Sequence, residues 1–285
     1  MITETDNLYA SLMATKAAPD DLEQMISASA PAVQARLARI DRSFLRALLR
    51  HSRGDAAIPH AGAIIRHLAT APVAPVFLPE IAHSRTMALP VTGEIAGMPA
   101  FSNRAFDRWF HDQRVDYGLG LYGEKRRVYE TDQFADSAST ERRTIHMGID
   151  VFAPAGTAVH APIAGIVQSV VYNADPLDYG HTLILRHPFG EHSFFTLYGH
   201  LGASLPGLCQ PGQTVAPGQI IAHLGDWHEN GGWAPHLHFQ IMTDLLDQTD
   251  GNFFGVGQES LWPVWQQICP DPNLILRLPP ALFGR

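Results

Sequence analysis

Residues 235–241 read Pro-His-Leu-His-Phe-Gln-Ile, an alternation of polar and apolar side chains with the period of a β-strand. Side chains two apart on a strand share a face, so His236 and His238 point one way and Leu237 and Phe239 the other, toward a core. The pattern commits the chain to at least one sheet with an apolar side and sets two imidazoles side by side on its polar side. Taken alone, the pair fits an exposed edge strand equally well. Short β-rich runs at 165–172, 182–186 and 193–198 are separated by Gly and Pro. Their spacing predicts a mainly β body, an antiparallel sandwich or partial barrel.

The first 80 residues have a different texture. Pro19-Asp20-Asp21-Leu22-Glu23 is a capped, acidic helix start. Leu37, Ile40, Phe44, Leu45 and Leu48 then recur at three- and four-residue steps, the spacing of one helix face, so residues 20–68 read as helical. Arg36, Arg39, Arg42 and Arg46 flank that face and read as solvated surface, with a partner-binding surface as the alternative. The prolines of residues 70–79 break both helix and sheet and predict a linker. The expected organisation is a helical segment over 1–80 and a β domain over 81–285, with the Pro- and Leu-rich tail 263–285 packed back onto the body.

A chain that is 46% hydrophobic and 17% charged can bury a sizeable core. Its formal net charge of -8 argues against a nucleic-acid partner. No stretch approaches the roughly 18 apolar residues of a membrane span. The start carries neither a basic cluster nor the apolar run of a signal peptide. The expectation is a cytoplasmic chain, or a periplasmic one if the start has been trimmed. Cys209 and Cys269 sit in no Cys-x-x-Cys pattern and read as reduced, partly buried thiols. A zinc site would therefore be built from His and carboxylate.

The 15 histidines outnumber the phenylalanines, and their clustering carries the chemistry. In Ile145-His146-Met147-Gly148-Ile149-Asp150 the His and Asp are four apart. That is about 13 Å along a straight strand, too far for shared ligation; Gly148 lies between them and would let an extended chain curl. His200 ends the β-rich run at 193–198 with Tyr198-Gly199 before it. Together the three elements supply two His and one Asp as ligands and leave two His over. Three protein ligands plus water is the open geometry of catalytic zinc. Spare histidines beside it move protons or hold a developing oxyanion.

At these residues the sequence resembles the lysostaphin-type, or LytM-like, zinc metallopeptidases. The likeness covers about 143–241 and includes, in order, His146-Met-Gly-Ile-Asp150, the runs at 154–159 and 161–167, Tyr179-Gly180, Tyr198-Gly-His200-Leu201, the run at 215–219 and Pro235-His-Leu-His-Phe239. The resemblance implies a compact, mostly antiparallel β fold with one zinc ion in a groove. It implies His146, Asp150 and His238 as the zinc ligands. It implies His236 as the catalytic histidine next to the metal, and His200 as the other catalytic histidine, which positions or deprotonates the water or stabilises the tetrahedral intermediate. It further implies hydrolysis of peptide bonds in peptidoglycan or its fragments.

The loop at 225–234 departs from the small-residue loop of such proteins. Its Trp227 and Trp233 would wall one end of the groove or serve as packing residues; His228 and Glu229 read as a solvated loop. The runs at 122–129 and 269–273 resemble the peptidase-like middle domain of fusion proteins that also carry kinase-like and aminotransferase-like domains. Two other functions stand beside peptidoglycan hydrolysis: a cytoplasmic zinc hydrolase of a small amide or peptide metabolite, and a non-catalytic regulatory module. His187 reads as structural, and His160, His181 and His223 as surface or packing residues.

Overall fold

The computed structural model describes residues 2–91, 95–126 and 136–283; residues 127–129 of the run at 122–129 lie outside them. Five helices lead: α1 (Leu8–Ala14), α2 (Leu22–Ser27), α3 (Pro31–Leu37), α4 (Arg42–Ser52) and α5 (Ala61–Thr70). The predicted helical stretch is thus divided. Pro31 begins α3 because its ring suits a first turn and not an interior one. Asp41 caps α4, its Oδ1 accepting the Phe44 N–H at 2.8 Å.

The stripe from Leu37 to Leu48 therefore spans two helices rather than one face. Leu37, Phe44, Leu45 and Leu48 still meet in one core. Arg36 is not solvated: it donates to the carbonyls of Thr5 (2.7 Å), Asp6 (3.2 Å), Ser137 (2.8 Å) and Ala138 (3.2 Å). Arg42 and Arg46 both approach Glu23, and Arg39 is exposed. Residues 71–80 hold neither α-helix nor strand, as their prolines predict, yet they are pinned. The Ala74 N–H donates to the Pro162 carbonyl at 2.8 Å, the Val76 carbonyl accepts from His160 N–H at 2.9 Å, and Phe77 is buried.

The β body comprises β1 (Thr86–Ala88), β2 (Tyr117–Gly120), β3 (Ile145–His146), β4 (Ile149–Phe152), β5 (Ala158–His160), β6 (Gly165–Asn173), β7 (Gly180–Phe189), β8 (His192–Leu201), β9 (Thr214–Val215), β10 (Ile220–His223), β11 (His236–Met242) and β12 (Val256–Gly257). Helix α6 (Ala105–Asp112) precedes β2, α7 (Leu205–Leu208) follows β8, and α8 (Trp262–Ile268) and α9 (Asn273–Leu276) close the chain. Eight strands form one sheet in the order β1-β2-β4-β11-β8-β7-β6-β9. Only β1 with β2 is parallel within it. Its edge strands do not pair with each other, so the sheet is open and not a closed barrel. Two ribbons, β5 with β10 and β3 with β12, complete the pairing. The fold is the mainly antiparallel β body expected, with helices at its N-terminal end.

Strand β11 lies in the middle of the large sheet and is buried along its whole length. Leu237, Phe239 and Ile241 join Val151, Leu183 and Tyr198 in one apolar layer. Met242, from the opposite face, joins the core shared by the N-terminal helices and α8. There Trp265 stacks on Phe44, with ring centroids 4.5 Å apart. The C-terminal tail thus packs back on the body and links it to the helical segment. Cys209 and Cys269 are free and buried, and no helix among the described residues is long and apolar enough to cross a membrane.

Candidate metal centre

Sheet register brings the first two candidate ligands together. His238 on β11 lies directly opposite Asp150 on β4, and opposed residues of an antiparallel pair have Cβ atoms about 4.5–5.5 Å apart. His146 arrives by another route. It sits on β3, which pairs with β12 and not with the large sheet. The chain steps from one sheet to the other at Met147-Gly148, which removes the straight-strand separation between His146 and Asp150. Gly148 serves close approach rather than an unusual φ: a Cβ there would run into the His238 ring.

Three atoms converge. His146 Nε2 and His238 Nδ1 are 3.0 Å apart, and Asp150 Oδ1 is 3.2 Å from the first and 3.1 Å from the second. These edges lie slightly inside the roughly 3.3–3.4 Å ligand–ligand edges of a tetrahedral centre with bonds of about 2.0–2.1 Å, so a small outward shift of the side chains would admit an ion. Among the described residues this is the one cluster able to hold a metal ion.

The outer hydrogen bonds decide which nitrogens carry protons. His146 Nδ1 donates to the Leu121 carbonyl at 2.9 Å, leaving a lone pair on Nε2. His238 Nε2 donates to Gln240 Oε1 at 2.9 Å. The Gln240 amide is itself oriented, because its Nε2 donates to the Phe254 carbonyl at 2.9 Å. His238 Nδ1 therefore also presents a lone pair. Two imidazole lone pairs and a carboxylate oxygen face one another at about 3 Å in a buried site. That arrangement is repulsive without a cation between them, so the residues present fit a zinc ion.

Asp150 is held from behind. Its Oδ2 accepts from Arg126 Nη1 at 2.6 Å, and Arg126 Nε lies 3.3 Å from Glu124 Oε2; both carboxylates and the guanidinium are buried. Burial opposes ionisation of Asp150, but the buried Arg126 guanidinium beside it holds the carboxyl well below its usual range. Burial, reinforced by the Arg126 charge, brings His146 down to about 4, so its ring stays neutral and able to ligate.

His236 and His200 stand beside this triad with ring centroids 4.2 Å apart. His236 Nδ1 donates to the Ala234 carbonyl at 2.7 Å and His200 Nδ1 to the Asn230 carbonyl at 2.8 Å, which leaves both Nε2 atoms as acceptors. His236 Nε2 is 3.8 Å from Asp150 Oδ1. Burial lowers His236 to about 4 and drives His200 well below its ordinary value. His200 adopts φ +63 at the end of β8, a left-handed backbone that costs about 1–3 kcal/mol and gathers at functional sites.

A cleft of about 390 Å³ opens over the site, walled by His200, His236 and His238 together with Tyr179, Trp233 and Phe254. Trp233 thus stands where a groove residue is expected, its buried Nε1 without a hydrogen-bond partner among the described residues. Trp227 does not reach the cleft. Its Nε1 donates to Asp107 Oδ2 at 2.7 Å and its ring packs in a cluster with Phe101 and Phe106. It is a packing residue.

The loop carrying both tryptophans is structural where a solvated loop was expected. Glu229 accepts from the backbone of Asp226 and Ala203 at 3.0 and 2.7 Å, and Asn230 is fully buried and positions His200. His228 is exposed. His187 is structural as expected, bridging the Ala164 carbonyl and Thr196 Oγ1. Sequence reading missed Arg126, Gln240 and Asn230. Gln240 was within reach, being two residues after His238 on the same strand face; Arg126 and the Asn230 carbonyl gave no periodic signal.

Gln240→Leu removes the acceptor that fixes the His238 tautomer. Zinc affinity, read by competition against a chelating dye, is expected to fall about 10- to 100-fold. An unchanged affinity would show that Gln240 does not orient the ligand.

Residues 144–250 match the family described as Peptidase family M23. Among curated proteins, an uncharacterized metalloprotease of Haemophilus influenzae is 38% identical over 139 residues, 47% of this chain and 27% of that protein. The peptidoglycan DD-endopeptidase ShyC of Vibrio cholerae is 32% identical over 99 residues, 35% of this chain and 20% of that protein. The chain therefore spans about a quarter of the length of these relatives. Among solved structures, a zinc containing peptidase from Vibrio cholerae is 29% identical with a TM-score of 0.32, covering 42% of this chain and 31% of that one.

Proposed function

We propose, on the premise that residues 144–250 form a peptidase family M23 domain, that the chain is a zinc metalloendopeptidase cutting peptide bonds in peptidoglycan or its fragments. The observation that carries this reading is the convergence of three lone pairs from His146, Asp150 and His238 within 3.0–3.2 Å of one another. When bound there, zinc would lower the pKa of a water and polarise the scissile carbonyl. His200 and His236, neutral and with free Nε2 lone pairs, accept a proton from the attacking water. Once protonated, either ring can donate to the leaving amine or to the oxyanion. Asp150, kept ionised by the Arg126 guanidinium, supplies the negative charge that balances the site.

Peptidoglycan as substrate rests on the names of relatives such as the DD-endopeptidase ShyC. A second reading, hydrolysis of a small amide or peptide metabolite, is favoured by the size of the cleft, about 390 Å³, near the lower end of small-molecule sites. A panel separates the two. Zinc-loaded protein is incubated with purified sacculi, soluble muropeptides, acetyl-tetraglycine and a set of small amides, and new amino termini are counted. Release from sacculi or muropeptides is the expected result. Release from small amides alone would transfer the assignment to the second reading, and release from nothing would contradict both.

A further inference from the structure

A second cavity, about 510 Å³, abuts the metal cleft, and Arg143, Gln248 and Phe254 line both. Its far wall comes from the N-terminal helical segment through Tyr9, Arg39 and Phe44. That segment contributes no lining residue to the metal cleft and walls the cavity beside it.

The charges lining this cavity are unevenly satisfied. Asp136 accepts from Tyr9 Oη (2.6 Å), Gln258 Nε2 (2.8 Å) and Ala138 N–H (2.7 Å). Asp41 accepts from the N–H groups of Phe44 and Asp247, both at 2.8 Å, and from Gln248 Nε2 at 3.1 Å. Both carboxylates thus have their lone pairs committed to neutral donors. The two arginines have no such partner. Arg143 lies over the Phe254 ring, 5.0 Å from its centroid; the Asp136 charge acts on it from beyond ion-pair distance, and no carboxylate among the described residues pairs with it directly. Arg39 is exposed and makes no ion pair among the described residues. By contrast, the acids Asp175, Asp178 and Asp250 line the metal cleft and not this cavity.

We propose that the second cavity is a carboxylate subsite, in which Arg143 and Arg39 hold a carboxylate that the substrate carries beside the bond cut at the metal cleft. The proposal rests on the hydrolytic reading of that cleft and adds a substrate class to it: peptides bearing a free carboxylate near the scissile bond. A planar guanidinium already stacked on an aromatic ring needs little further ordering to grip a carboxylate through two parallel hydrogen bonds. The N-terminal helices would then act in substrate selection.

The probes are acetyl-tetraglycine amide, which is neutral, acetyl-tetraglycine, with a C-terminal carboxylate, and succinyl-tetraglycine amide, with an N-side carboxylate. Dissociation constants are measured by calorimetry on the zinc-loaded 285-residue chain carrying His200→Asn, so that turnover does not intrude. One carboxylate peptide is expected to bind about tenfold tighter than the neutral one, a difference of about 1.4 kcal/mol. Adding Arg143→Gln should abolish that preference, and Arg39→Gln, at an exposed position, should reduce it about threefold.

Equal binding of all three peptides would overturn the proposal. So would a preference that survives both arginine changes, the result expected if the carboxylate simply coordinated the metal. If Arg143→Gln fails to fold, the Arg39→Gln comparison decides alone. Cleavage of the three peptides by the wild type is followed in parallel. Cleavage without a carboxylate preference removes the subsite and leaves the hydrolase; a preference without any cleavage does the reverse.

Discussion

Replacing His238 by alanine is expected to remove the metal and, with it, all hydrolysis. His238 supplies one of three converging donors, and its partner atoms lie at 3.0 and 3.1 Å. Zinc held by a full protein donor set is worth about 10–16 kcal/mol at neutral pH. One donor of three therefore carries roughly 4 kcal/mol, about a thousandfold in affinity. After dialysis, elemental analysis should find one zinc per wild-type chain and essentially none in His238→Ala. The change also frees Gln240 and opens space beside Gly148, so the thermal unfolding midpoint should be recorded with it. A variant that is folded and retains one zinc would mean that the ligand set is wrongly drawn.

The second large effect separates chemistry from ligation. His236→Ala and His200→Asn should each keep one zinc and lose about 10²–10⁴-fold in kcat, the usual contribution of a positioned proton-transfer group. Asparagine is chosen at position 200 because the backbone there has φ +63, a conformation Asn tolerates better than most residues. KM should move little, since neither ring is proposed to bind the remote parts of the substrate. Loss of zinc from either variant would turn that histidine into a structural support. Full kcat with zinc in place would remove it from the mechanism.

The site was legible where local periodicity and the ordered motif runs carried it. The alternation at 235–241 places His236, His238 and Gln240 on one face and puts Leu237 and Phe239 in the opposite core, as strand geometry dictates. The linkage of His146 to Asp150 was not legible from strand geometry, because the two residues sit on strands of different sheets and the step between them is a tertiary feature. The helical stripe from Leu37 to Leu48 misled for a related reason. Apolar spacing continues across a helix break when both helices face the same core, and the break is marked instead by Pro31 and the Asp41 cap. Arg126 grips a carboxylate 24 residues away, a pairing no short-range pattern reports. Trp227 and Trp233, six residues apart in one loop, are divided between packing and cleft by the fold alone.

The most direct test of the central claim is a zinc titration of metal-free wild-type protein, read by the release of amino termini from muropeptides. No release is expected without metal, then a rate that climbs linearly and breaks at one equivalent of zinc per chain. Full release from the metal-free protein, or a rate indifferent to added zinc, would contradict it.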